Sequence, residues 1–570
     1  MGRTRLKLRV RLIFSMLILI ALLIIARLYF LQVIHGEEYS AMADGQYVNH
    51  NTGFYDRGDI FFVNKNGQEI SGATIKSGYI LAINPMIVSS PSDLYKKISE
   101  ITELNESVFA RAVARKNDPY EELKKQLTEE EAAKIRELDE KSIILVRQRW
   151  RYYPGGDLAA HALGFVAYDG DEKVGRYGLE SYFEDVLKRE SSSLYVNFFA
   201  ELFSSVRDII FLPANKREGD IVSTIEPSVQ LNLEQTLEKI NTDWDSEMVA
   251  GIIIEPRSGK IRAMAVTPNF DLNEFSDASS KLYPNVLVER VYEMGSVIKP
   301  LTVAAAIDSG VITANTTYED KGSVVVGGHK IYNYDKRARG VGTSMQDVLS
   351  QSLNTGVVFA QQKMGKDDFR RYMYRLALNE ETGVDLPHES MSLVKNLESS
   401  RDIEYATASF GQGIALTPMS TARALGALGT GYIAQPHLVE KIRSASGLVD
   451  KKDYTDMQIR VFKDSTTEDV SRMLVRAVDE KLLGGTMKME NYSVAAKTGT
   501  AQISKNSQGY EEDDVLHTFF GYFPAYEPEY LVLLMNMKPQ GAPYASQTLA
   551  VPFFDIAKFL INYYDIPPDR

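Results

Sequence analysis

Residues Leu12–Ile34 form one apolar run behind Arg3, Arg5, Lys7, Arg9 and Arg11, and no acid occurs before Glu37. A bilayer core needs about 20 apolar residues, and its lack of water forces each backbone group to bond within its own segment. The run is therefore expected to be one membrane-spanning helix over 12–34, behind a basic tail at 1–11. Cations on that flank keep the tail in the cytoplasm. Everything after about residue 35 then lies outside the cytoplasmic membrane. A cleavable leader competes, since Ala41-Met42-Ala43 spells A-x-A. That site follows Glu37 and Glu38, and the run exceeds the roughly 7–15 residues of a leader's apolar core. Arg27 sits near the outer end of the run, where it can snorkel or meet a partner helix.

The rest reads as folded protein. Of 570 residues, 44% are apolar and 25% charged, and the length suggests several domain units. A net charge of −12 argues against general nucleic-acid binding. With no cysteine, disulfides, thiolate nucleophiles and thiolate metal sites are excluded. The seven histidines are scattered, with no i, i+4 pair and no HExxH, so neither a metal site nor a cofactor is expected.

Residues 35 to about 85 alternate extended runs with turns such as Lys65-Asn66-Gly67. A charge-rich stretch at about 91–140, opened by Pro91-Ser92-Asp93-Leu94, is expected to be a helical insert. Gly175-x-x-Gly178 lacks the Lys-Ser/Thr of a phosphate loop and reads as structural. Pro227 opens an amphipathic helix. Val249–Glu255 and Lys260–Val266 flank a Pro256–Gly259 turn as a hairpin. Residues 344–430 are mostly helical, Ser493–Ile503, His517–Phe523 and Tyr530–Met537 are strands, and Leu549–Tyr563 is a closing helix. The expected fold class is α+β, with an N-terminal module at 35–235 and a second at 236–570, mostly antiparallel sheet flanked by helices.

Three signatures carry chemistry. In Gly295-Ser296-Val297-Ile298-Lys299 the i, i+3 spacing puts Lys299 beside Ser296 at the start of an apolar helix. Apolar neighbours lower an ammonium's pKa, and a neutral lysine can take a serine proton. A helix N-terminus adds N–H groups for an oxyanion. The same pattern recurs as Ser392-Leu393-Val394-Lys395, in a polar stretch without helix context. Ser352-Leu353-Asn354 is uninformative alone, since Ser and Asn are common in turns. Lys497-Thr498-Gly499-Thr500 lies in a strand, where Lys497 and Thr498 could hold a carboxylate and Gly499 could admit substrate close to the backbone.

Ser-x-x-Lys, Ser-x-Asn and Lys-Thr-Gly in this order resemble the penicillin-recognising serine acyltransferases. Almost the whole chain resembles a class B penicillin-binding protein, a membrane-anchored peptidoglycan D,D-transpeptidase. Arg57-Gly58-Asp59-Ile60-Phe61 and Gly175-Arg176-Tyr177-Gly178-Leu179-Glu180 are similar to that family's pedestal motifs, and Phe410-Gly411-Gln412-Gly413 to one of its catalytic domain. The resemblance implies an elongated α+β pedestal and a C-terminal transpeptidase domain. It implies Ser296 as acylated nucleophile, Lys299 as base, Ser352 as proton relay and Asn354 on the substrate backbone. Lys497 and Thr498 would hold the terminal carboxylate, and the N–H groups of Ser296 and Thr500 would form the oxyanion hole. The donor would be a stem peptide ending in D-Ala-D-Ala, and β-lactams would acylate Ser296.

The chain departs from the pattern at Met294, where the family has Pro, and at Asn64-Lys65-Asn66-Gly67, which lacks the pedestal motif's acid. Ser409-Phe410-Gly411-Gln412-Gly413 and His517-Thr518-Phe519-Phe520-Gly521 are most similar to the cell-division branch. The implied partners are a polytopic glycosyltransferase of the shape, elongation, division and sporulation family and other division-complex proteins. The alternatives are an elongation or sporulation enzyme, a hydrolase using the same motifs (β-lactamase or D,D-carboxypeptidase), and a non-catalytic β-lactam-binding scaffold.

Overall fold

The computed structural model describes Met16 and residues 55–189, 218–444, 448–454, 457–504 and 510–570. The expected tail and membrane span, Met16 aside, lie outside these residues. Among the described residues no helix is long and apolar enough to cross a membrane.

The C-terminal module is built on five antiparallel strands, in the order Ala495–Ser504, Tyr510–Phe523, Tyr530–Met537, Met248–Ile254, Ile261–Thr267. Met248–Ile254 is buried along its whole length and Tyr530–Met537 along nearly all of it. Covering both faces of a strand explains why these segments read as continuous apolar runs. Helices Pro227–Trp244 and Ala545–Tyr563 close one face through Leu233, Leu237, Phe553 and Ile556. The other face carries a helical layer around Lys299–Asp308, in which every residue but Ile307 is buried. A helix enclosed on all sides has to be apolar all round, as Val303-Ala304-Ala305-Ala306 is.

A second, mixed sheet forms the pedestal. Its order is Val449–Lys451, Val439–Ser444, Gly219–Ser223, Ile60–Val63, Glu69–Ile83, and both Glu121–Leu127 and Ile143–Tyr152 pair with Glu69–Ile83. Ile60–Val63 and Gly219–Ser223 run parallel. The strands at 439–451 arrive from the C-terminal module, so the two modules share a sheet. Helix Pro227–Trp244 crosses the expected 235–236 boundary and packs on the five-stranded sheet, which puts the seam earlier in the chain.

The 91–140 stretch is helical only in part. Pro91–Ser99, Glu106–Ala114 and Glu129–Arg136 are helices, but Glu121–Leu127 is a strand. Its Glu, Lys and Leu favour helix in isolation. Pairing wins because Leu123 and Leu127 enter a core with Tyr79 and Leu81.

The pedestal core encloses a charged cluster. Fully buried Glu180 accepts from Arg57 Nε and Arg151 Nε, each at 2.6 Å, and from Tyr153 Oη at 3.2 Å. Glu184 accepts from Arg57 at 2.6 Å and from Gly175 N at 2.9 Å, so Gly175-x-x-Gly178 holds the protein's own carboxylate. Glu180→Ala takes the shared carboxylate from two buried guanidiniums. It is expected to cost about 3–5 kcal/mol in chemical unfolding of the purified protein.

Candidate active site

Ser296 lies in a turn clamped from two sides. Gly295–Ile298 is a 3₁₀ turn that runs into helix Lys299–Asp308, with Pro300 in the first turn, where its missing N–H costs nothing. Gly295 takes φ +63° and donates its N–H to the Gly411 carbonyl at 3.1 Å. A Cβ on Gly411 would sit 2.2 Å from the Gly295 oxygen, so only glycine lets these loops interlock. Glu293 Oε1 accepts from Gly413 N at 3.0 Å, and Thr302 Oγ1 donates to the Ser409 carbonyl at 2.7 Å. Met294 has φ −76°, within the range that proline imposes, so the backbone here holds a conformation proline could also take.

Ser352 ends a helix in an unusual way. Helix Met345–Ser350 finishes with Leu353 N donating to the Val348 carbonyl at 3.0 Å, which makes Ser352 the left-handed residue of a Schellman cap. Glycine normally occupies that position; Ser352 holds φ +56°. This turn presents both the Ser352 carbonyl and its hydroxyl to Lys299 Nζ, at 2.6 and 3.1 Å. Asn354 begins the next helix and donates from Nδ2 to the Tyr332 carbonyl at 2.7 Å. Beneath them, buried Asp320 accepts from Thr355 Oγ1 at 2.8 Å, from Asn333 Nδ2 at 3.0 Å and from Arg339 N at 3.0 Å. Asp320, Asn333 and Thr355 carry no sequence signature. Their role depends on a fold that unites residues 320, 333 and 355.

Lys-Thr-Gly lies on the sheet's edge strand. Lys497 Nζ donates to Ser352 Oγ at 3.0 Å and to the Thr498 carbonyl at 2.9 Å. Gly499 is required by packing: a Cβ there would meet Thr518 Oγ1 at 2.3 Å and the Met294 carbonyl at 2.9 Å. The strand thus presses against the serine turn, and its glycine faces protein. Thr500 Oγ1 accepts from Ala545 N at 3.3 Å, at the start of the terminal helix. The Ser392/Lys395 repeat of the first motif is dispersed: Ser392 is buried and bonded to Thr417 N, while Lys395 is exposed.

Ser296, Lys299, Ser352, Asn354, Lys497, Thr498 and Thr500 all line one cleft of about 740 Å³, and among the described residues no Asp or Glu lines it. Burial lowers the Lys299 pKa well below the usual lysine range, and the Lys497 charge lowers it further. Burial brings Lys497 down to about 7. Among the described residues no cluster of His, Asp and Glu could hold a metal ion.

Residues 249–557 match the family model of the penicillin-binding protein transpeptidase domain, and residues 56–198 that of the penicillin-binding protein dimerisation domain. The chain belongs to the class B penicillin-binding proteins and is a serine-type peptidoglycan D,D-transpeptidase. It is 27% identical to stage V sporulation protein D of Bacillus subtilis, over 95% of this chain and 84% of that one. It is 26% identical to the peptidoglycan D,D-transpeptidase MrdA of Acinetobacter baumannii, over 95% of this chain and 86% of that one. The fold is similar to penicillin-binding protein 3 of Mycobacterium tuberculosis in complex with aztreonam, with a TM-score of 0.67 at 21% identity over 90% of this chain and 98% of that one.

Backbone strain at Ser352 separates stability from activity. Ser352→Gly relieves the left-handed conformation and is expected to unfold no earlier than wild type, with a gain of up to about 1 kcal/mol. The same change should slow β-lactam acylation by about 10²-fold or more. Thermal unfolding and acylation kinetics on the one variant check both.

Proposed function

We propose that Ser296 attacks the carbonyl of the penultimate D-Ala of a stem peptide while Lys299 takes its proton. The C–N bond to the terminal D-Ala breaks, and that amine leaves with a proton relayed through Ser352. An amine on a neighbouring stem then attacks the Ser296 ester, which forms the cross-link and restores the serine. Lys497 and Thr498 hold the donor's terminal carboxylate, Asn354 its backbone, and the N–H groups of Ser296 and Thr500 the oxyanion. The observation that carries this reading is the pair of buried lysines converging on Ser352 Oγ in the cleft that Ser296 lines. An edge strand also leaves backbone groups free to pair with an extended peptide.

The reaction implies a pH dependence. Acylation needs Lys299 without its proton, so its rate should rise with pH through the lowered Lys299 pKa and fall away below it. Lys497→Met removes the second cause of that lowering. The Lys299 pKa then rises, and the acid limb of acylation should move to higher pH. A limb that stays in place would contradict the assignment.

We further propose that residues 12–34 anchor the enzyme with its N-terminus in the cytoplasm. We also propose that it builds septal wall with a polytopic glycosyltransferase and other division-complex proteins. The phrases around Phe410 and Phe519 support the division branch, and the name of the Bacillus subtilis relative supports a sporulation role. A fluorescent fusion should form a mid-cell band in growing cells; label along the side wall, or at spore septa alone, contradicts the septal role. For the chemistry, a fluorescent penicillin chased with unlabelled drug should stay on the protein for minutes. Loss within seconds would mean a hydrolase.

A further inference from the structure

The rim of the cleft beyond Asn354 has the opposite charge sign to the molecule, whose net charge is −12. From Lys321 to Val341 the chain carries Lys321, Lys330, Lys336, Arg337 and Arg339 against a single acid, Asp335. That acid is taken by Arg339 through two contacts of 2.9 Å. Lys330, Lys336 and Arg337 are exposed, and none of them pairs with an acid among the described residues. Tyr332 lies between two of these cations, with Lys330 Nζ 4.9 Å and Lys336 Nζ 5.8 Å from its ring centre. Tyr334 lines the cleft and meets Tyr544 edge to face at 6.2 Å, with 59% and 52% of the two side chains exposed.

This lip is fastened to the catalytic machinery. The Tyr332 carbonyl accepts from Asn354, and Asn333, between the two tyrosines, is buried on Asp320. Three like charges with no acid partner among the described residues repel one another, and the Tyr332 ring beside Lys330 and Lys336 offsets only part of that. An anionic ligand with an apolar part would reverse that balance, through charge attraction and stacking.

We propose that this lip docks the acceptor strand as an acidic peptide, holding carboxylates that lie beside the attacking amine. The proposal rests on the acyl-transfer reading above. There the donor's carboxylate occupies Lys497 and Thr498, deep in the cleft. The acceptor arrives once the D-Ala has left, and its own carboxylates stay outside, against Lys330, Lys336 and Arg337.

The test uses the full-length enzyme in detergent, a peptide thioester as donor, and two acceptor stem peptides, one with free carboxylates and one with carboxamides. Wild type should show an acceptor KM about tenfold lower for the carboxylate form at low ionic strength, a gap that closes as salt is added. The Lys330→Gln/Lys336→Gln/Arg337→Gln variant should lose that preference and keep the wild-type rate of penicillin acylation and the wild-type donor KM. A preference retained in the variant, or missing in wild type, overturns the proposal. Unchanged acceptor kinetics with reduced cross-linking in cells would overturn it in favour of an acidic protein partner. If wild type itself is not acylated at Ser296, the parent reading falls first, and this one with it.

Discussion

Lys299 and Lys497 both donate to the hydroxyl of Ser352, at 3.1 and 3.0 Å, and both are buried. With no carboxylate on the cleft wall among the described residues, two ammonium ions there would repel each other in a poorly solvated site. Burial and the Lys497 charge act in the same direction on Lys299, both favouring its neutral amine over the ammonium. This arrangement does without histidine. His517, opposite Thr500 in the sheet, is bonded to Thr548 Oγ1 at 2.9 Å and is absent from the cleft lining; burial takes its pKa down to about 4. The arrangement works against the fold. For Lys497 the unfolded chain binds a proton between about pH 7 and 10.5 that the folded one does not, so this group's contribution to stability rises with pH across that window.

Much of the architecture serves to bring three distant segments to that point. The serine turn is clamped by the loop at Phe410–Gly413, Ser352 is set by a helix cap, and Lys497 sits on an edge strand that Gly499 lets press against the turn. The terminal helix ties this assembly to the pedestal. At one end Ala545 N reaches Thr500; at the other the Tyr563 carbonyl accepts from Lys65 Nζ at 2.8 Å, and the Tyr563 hydroxyl donates to Glu226 at 2.6 Å. Lys65 belongs to the Asn64–Gly67 turn, where the family's pedestal motif has changed. A cation there meets the negative end of the helix.

The core strands, the buried helix Lys299–Asp308 and the closing helix were legible because apolar periodicity reports burial directly. So was the Ser296/Lys299 pair, whose geometry is local to one turn of helix. Features that depend on distant partners were not. Glu121–Leu127 has a helical composition and becomes a strand through its pairing with Glu69–Ile83. Strands Val439–Ser444 and Val449–Lys451 join the pedestal sheet from the other module, which no local pattern announces. Ser352 adopts a left-handed cap without the glycine that marks one. Gly499 was expected to make room for substrate and proves to make room for Thr518 and Met294. Asp320, on which the Asn333–Thr355 side of the cleft is organised, sits in a stretch with no recognisable pattern.

We propose Ser296 as the serine that Lys299 activates, and the chain contains its own control in Ser392-Leu393-Val394-Lys395. Mass spectrometry of the intact protein after exposure to a β-lactam, followed by peptide mapping, tests it directly. One drug-sized adduct per chain is expected, carried wholly by the peptide that contains Ser296. An adduct on Ser392 or elsewhere, or no stable adduct at all, would contradict it.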